Sequence, residues 1–194
     1  MGLRVTQYGE GVLHEKGEKI TQFDAELKSL AQEMLVTMED HAGIGLAAQQ
    51  IGKAICLCVV DLGEAAHDTG TAILDSRPVP PPILMPLVLV NPRIELPTPV
   101  DMEIMEEGCL SFRQVRGDVI RPEKIEVFYQ DLEGESHHLV CEGLLSRCIQ
   151  HEVDHLNGIL FIDRMTKPDF ARIRNKVRKL KRVGQEDDPL RSNR

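Results

Sequence analysis

The stretch "QHEVDHLNGIL", residues 150–160, sets His151 and His155 four residues apart with Glu152 directly after the first. Residues at that spacing project from one helix face about 5 to 6 Å apart, so the two rings can converge on one ion. Glu152 is then placed to take a proton from water activated at that ion. Leu144, Leu145, Ile149, Val153 and Leu156 give the same helix an apolar stripe, which buries it. Two histidines and a glutamate buried without a partner would be costly, so a plain solvated face explains them less well than a metal does.

A catalytic site of this kind needs a third protein ligand and an open position. The run follows one protease pattern as far as Gly158, but Phe161 stands where that pattern needs a histidine. Cys148 shares the face of His151, yet helical rise puts its α-carbon about 10 Å from that of His155. It reads as pocket wall or core. In "EEGCLSF", residues 106–112, Cys109 follows Gly108, a residue that lets backbone and ligand approach closely. A thiolate there would complete a soft-plus-imidazole set with room for water. By spacing alone, His137, His138 or a carboxylate would serve as well.

Outward from this helix, the chain reads as one domain with appendages. Its 194 residues suffice for a substantial core. From Asp24 to His41, Leu27, Leu30, Ala31, Met34, Leu35 and Met38 recur at helical spacing, and the pattern stops before Gly43. "AICLCVVDL" and "LVLVNPRIEL" read as strands, and "KIEVFYQDLEGESHHLVCEG" as a hairpin turning near Glu133 and Gly134. The start, "MGLRVT", reads as a first strand. Strands that surround the motif helix, instead of alternating with helices, favour an α+β fold. Residues 63–86 carry prolines at 78, 80, 81, 82 and 86 and read as a long surface loop, because such a segment cannot donate a regular ladder.

The formal net charge is −8, which argues against a general nucleic-acid binder. It is unevenly spread. Lys167 to Arg182 carries eight basic residues against one acidic, so the remainder holds −15. Five cysteines without paired spacing indicate reduced thiols in the cytoplasm. No secretory signal or membrane-length apolar run is present in the sequence, so a soluble, cytoplasmic protein with no membrane partner is expected.

"GIGLAAQQIG" (Gly43 to Gly52), "EGCLS" (Glu107 to Ser111) and "HEVDH" (His151 to His155), in this order, resemble the three signature motifs of peptide deformylases. The likeness runs from about Val5 to about Met165, which sets a catalytic domain at 1–165 and a basic helix with a polar tail at 166–194. The resemblance implies mostly antiparallel sheets wrapped around the helix that carries HEVDH, followed by a C-terminal helix. It implies hydrolysis of the formyl group from the initiating methionine of nascent chains. It makes Cys109, His151 and His155 the metal ligands and Glu152 the general acid and base. Gln50 and the backbone N–H of Leu110 would stabilise the oxyanion. Gly43, Ile44 and Gly45 would pair with the extended substrate, Gly108 would allow it a close approach, and Ile44 and Cys148 would line the methionine slot. The native ion implied is ferrous iron, with zinc, nickel or cobalt as substitutes.

Gln49 stands where the family usually has proline, and Phe112-Arg113 where it has an aliphatic-proline pair, which bears on the substrate rim. The same residues admit three other functions: a zinc endopeptidase, a hydrolase with Cys109 as nucleophile, or a structural metal domain that docks through its basic tail. That tail, with Phe170, Ile173, Val177 and Leu180 on one narrow stripe, is suited either to cap the domain or to meet ribosomal phosphate.

Overall fold

The computed structural model describes residues 2–186. Helix α1 spans Ala25–Asp40, and the Asp24 carboxylate caps it by accepting from the Leu27 N–H at 3.0 Å. Strands β1 (Gly45–Ala47), β2 (Leu57–Val60), β3 (Ala72–Leu74), β4 (Arg77–Val79) and β5 (Leu87–Glu95) follow. Then come β6 (Met102–Cys109), β7 (Phe112–Pro122), β8 (Lys124–Gln130) and β9 (Ser136–Glu142). Helices α2 (Gly143–Leu156), α3 (Phe161–Arg164) and α4 (Lys167–Glu186) complete the chain. Seven strands form one antiparallel sheet in the order β1-β2-β5-β8-β9-β3-β4, and β6 pairs with β7 as a separate hairpin.

All four residues of β2 are buried because the sheet is covered on both faces. Leu57 and Val59 join Leu27, Met34 and Met38 of α1, while Cys58 and Val60 join Leu145, Ile149 and Val153 of α2. The period-two alternation of a strand sends alternate side chains to opposite helices. Leu145 and Ile149 are fully buried. Each contributes about 1.5 to 3 kcal/mol, enough to hold a helix that also carries buried polar groups. α2 ends where Gly158 turns left-handed (φ 71°), at a point where a β-carbon would come within 2.5 Å of the His14 carbonyl.

The expected architecture, antiparallel sheets around the HEVDH helix with a helix at the C-terminal end, is present. Two local expectations are corrected. The first residues form no strand. Instead the segment runs across the two motif turns, with Thr6 N–H donating to the Gln50 carbonyl (2.7 Å) and Tyr8 N–H to the Ser111 carbonyl (2.8 Å). Residues 63–86 are not one loop either, because β3 adds to the sheet beside β9 and β4 adds beside β3. Pro78 sits in β4, the outermost strand, where a missing N–H disturbs no further ladder.

α4 packs on β7 and on the N-terminal segment. Val177 is buried in a cluster with Tyr8, Phe112, Val119 and Phe161, and Gly184 lies so close that a β-carbon would meet the Tyr8 carbonyl at 2.2 Å. No helix among the described residues is long and apolar enough to cross a membrane.

Candidate active site

Three elements meet at the site. α2 brings His151 and His155, the end of β6 brings Cys109, and the 3-10 turn Ala48–Ile51 after β1 brings Gln50. One ligand atom each from Cys109, His151 and His155 lies within 4.8 Å of the other two, and Cys109 Sγ is 3.3 Å from His155 Nε2. Among the described residues this is the one group so arranged. His137 and His138, the other histidines considered, lie on β9 and engage Asp75, Asp131 and Glu126 instead.

A sulfur with two imidazole nitrogens suits iron, zinc, nickel or cobalt. His151 Nδ1 lies 3.0 Å from Glu107 Oε2, which leaves Nε2 for an ion. Burial drives the His155 pKa well below its ordinary value and so favours the neutral ring a ligand must offer. For His151, burial acts in the same direction, but hydrogen bonding to Cys109 and Glu107 outweighs it and carries the pKa well up. The surroundings thus attract positive charge at this point, and the residues fit a divalent cation.

Glu152 is buried beside the cluster, and its Oε2 has no hydrogen-bond partner among the described residues. Such an oxygen is costly unless a ligand uses it. Burial pushes the carboxyl up to about 7, with the charge of His151 pulling the other way, so it can both take and return a proton near neutral pH. Gln50 is oriented by its neighbours. Its Oε1 accepts from the Ala47 N–H at 2.8 Å, which turns Nε2 toward Cys109 Sγ (3.4 Å) and Ser111 Oγ (3.5 Å).

A cavity of ≈ 470 Å³ opens onto this centre. Gly43, Ile44, Gly45, Gln50, Gly108, Cys109, Leu110, Cys148, His151 and Glu152 all line it, and His155 lies behind the wall. Cys148 Sγ lies 3.3 Å from the Ile44 carbonyl, outside the ligand group, as wall of the cavity. β1 is the edge of the large sheet, so one side of Gly45 is free of strand pairing. A β-carbon at Gly45 would stand 2.3 Å from Glu152 Oε1 and 2.9 Å from Cys148 Sγ, so only glycine admits this approach. Gln49 is wholly buried and donates to the Glu15 carbonyl at 3.4 Å, while Phe112 stacks on Tyr8 with centroids 4.4 Å apart. Gln49 stands apart from the cavity, whereas Phe112 opposes Cys109 in the β6–β7 hairpin and lines the cavity.

Sequence reasoning missed the charges behind the histidines. Glu107 accepts from Arg121 Nε (2.6 Å), Arg121 Nη2 (3.0 Å) and Arg147 Nη1 (2.9 Å), and Arg121 Nη1 continues to Asp154 Oδ2 at 2.7 Å. All four are buried. Burial works against the Glu107 charge, yet hydrogen bonds from His151 and Arg121 and the Arg121 charge hold its pKa down at about 2. The signal was Asp154 between the two histidines and Arg147 on the same apolar helix, since buried charges demand partners.

A sequence model of the family described as polypeptide deformylase matches residues 3–171. The chain is 54% identical over 183 residues to a peptide deformylase of Opitutus terrae, covering 94% of this chain and 95% of that protein. It is 39% identical to one from Chlorobium luteolum, covering 91% and 85%. Among solved structures, a plant peptide deformylase superposes with a TM-score of 0.81 at 32% identity, covering 95% of this chain and 92% of the other. A Synechococcus elongatus peptide deformylase in complex with actinonin gives 0.73 at 40% identity, covering 92% and 83%. Likeness of this extent, spanning the glycine edge, the cysteine turn and the histidine helix together, establishes that the chain belongs to the peptide deformylase family.

Proposed function

We propose that Cys109, His151 and His155 hold the metal of a hydrolase that removes the N-formyl group from the initiator methionine of new polypeptides, with Glu152 moving the proton. The observation that carries this reading is the clustering of the three ligand atoms within 4.8 Å beside a buried carboxylate with an unpartnered oxygen. When bound, a divalent ion supplies a Lewis acid that makes water acidic near neutral pH. Glu152 accepts the proton of the attacking water and later delivers it to the departing amine nitrogen. Gln50 Nε2 and the Leu110 N–H donate to the formyl oxygen as it becomes negative, and losing one such donor costs about a hundredfold to a thousandfold in rate. The open edge of Gly43–Gly45 holds the peptide as an added strand, Gly108 lets its backbone close in, and the methionine side chain enters between Ile44 and Cys148.

Ferrous iron is the native ion in this reading, since a thiolate with two imidazoles accepts it and availability selects among metals. Zinc gives a less active enzyme, and nickel or cobalt a durable one. The protein works in the cytoplasm, where chains emerge from the ribosome. The basic face of α4, Lys167–Glu186, meets ribosomal phosphate, while residues 1–165 hold the catalytic machinery and 166–194 form the basic helix with its tail. The polar tail at 187–194 lies outside the described residues.

The test is hydrolysis of formyl-Met-Ala with and without a chelator, with metal analysis of the same sample. Chelator-sensitive release of formate is expected. Cleavage of internal bonds in unformylated protein would indicate an endopeptidase, activity that survives metal removal would indicate a Cys109 nucleophile, and bound metal without turnover a structural centre.

A further inference from the structure

A second cavity of ≈ 530 Å³, whose lining includes Arg4, His41, Leu110 and Arg113, adjoins the catalytic cleft, and His41 and Leu110 line both. Its position follows from the direction a substrate must take. The formyl end lies by Glu152, which Gly45 touches, and further along β1 Leu46 and Ala47 are fully buried. An extended peptide leaving the centre runs along this edge past Gly43 and Ala42 toward His41, and a third cavity, whose lining includes Glu39 and Asp61, opens at Ala42, Gly43 and Ile44 on the way. At about 3.3 Å per residue, its second and third residues reach the neighbourhood of this second cavity.

The cavity is basic. No carboxylate lines it among the described residues. Arg4 is engaged by Glu10 through two hydrogen bonds of 3.0 and 2.8 Å. Arg113 is exposed and makes no ion pair among the described residues. It stands where the β6–β7 register breaks: Gly108 opposes Arg116 but Cys109 opposes Phe112, so residues 113–115 of β7 form a bulge with no partner on β6, beside the end of β6 that carries Cys109. On a body of net charge −8, an uncompensated cation carried at the cleft exit discriminates by charge.

We propose that this cavity, through Arg113, selects formylmethionyl peptides with an acidic side chain at the second or third residue, an inference that rests on the deformylase function above. The experiment measures kcat/KM of the metal-loaded enzyme at low ionic strength for formyl-Met-Ala-Xaa-Ser and formyl-Met-Xaa-Ala-Ser, with Xaa as Glu, Gln or Lys. The Gln peptides are the reference within each protein. Glu should exceed Lys by at least about threefold at one of the two positions, the size of an exposed charge pair. The ratio should reverse in Arg113→Glu, return in Arg113→Lys and shrink in about 0.5 M salt. A wild-type ratio below threefold at both positions overturns the inference, and so does a ratio that persists in Arg113→Glu or in high salt. Failure of the wild type to cleave the Gln peptides overturns the functional reading along with it.

Discussion

His151 Nδ1 lies 3.0 Å from Glu107 Oε2, and through Glu107 the ligand group is tied to Arg121, Arg147 and Asp154 in the interior. The carboxylate fixes the ring so that its other nitrogen faces Cys109 and His155. Replacing Glu107 by Gln keeps the shape but leaves two buried arginines short of a counter-charge. Metal affinity should fall about ten- to a hundredfold, measured by competition with a chelator. Stability should fall by about 3 kcal/mol in denaturant unfolding, since breaking a buried pair leaves uncompensated charge. Wild-type affinity in this variant would remove Glu107 from the centre.

Gly45 backs directly onto Glu152, with 2.3 Å between a would-be β-carbon and Oε1. Gly45→Ala must displace the Glu152 carboxylate or the β1 edge. A displacement of about 1 Å at a catalytic group costs about a hundredfold in rate. The expected result is a folded protein with normal metal content and kcat/KM down about a hundredfold. Activity within threefold of wild type would show that the contact positions nothing.

His137 bridges Asp75 (2.8 Å) and Asp131 (3.2 Å), clasping the β3–β4 turn to the β8–β9 turn. The hydrogen bond to Asp75, then that to Asp131, raises its pKa above the ordinary 6.5 despite partial burial. A raised folded-state value means the stabilisation is full below 6.5 and fades as pH rises through the folded value. His137→Ala should therefore lower the unfolding temperature at pH 6 and have little effect at about pH 9. A pH-independent deficit would mean that packing on Tyr129, and not charge, is what His137 supplies.

The parts of this fold legible in the sequence are those set by local periodicity. The stripe from Leu27 to Met38, the alternation of the hairpin and the spacing of His151 and His155 each encode one element, and each formed where expected. Cys109 was one candidate among several by spacing, because a ligand from another element is brought in by topology that no local pattern records. The Glu107 network was hidden for the same reason: Glu107 and Arg121 meet only once β6 pairs with β7, and Arg147 and Asp154 only once α2 packs beneath them. In 63–86 the prolines read locally as breakers, yet an edge strand tolerates them, and edge position is a property of the whole sheet.

The claim that Cys109, His151 and His155 hold the metal while Glu152 moves the proton is tested most directly by turnover per bound metal in Glu152→Gln. One sample serves for both quantities, metal content and formyl-Met-Ala hydrolysis. Because Glu152 is not among the three clustered ligands, metal content should equal that of wild type, while turnover per metal should drop by at least about a hundredfold, the usual worth of a general acid and base. Turnover above about a tenth of wild type, or loss of metal as severe as in Cys109→Ala, would contradict the assignment.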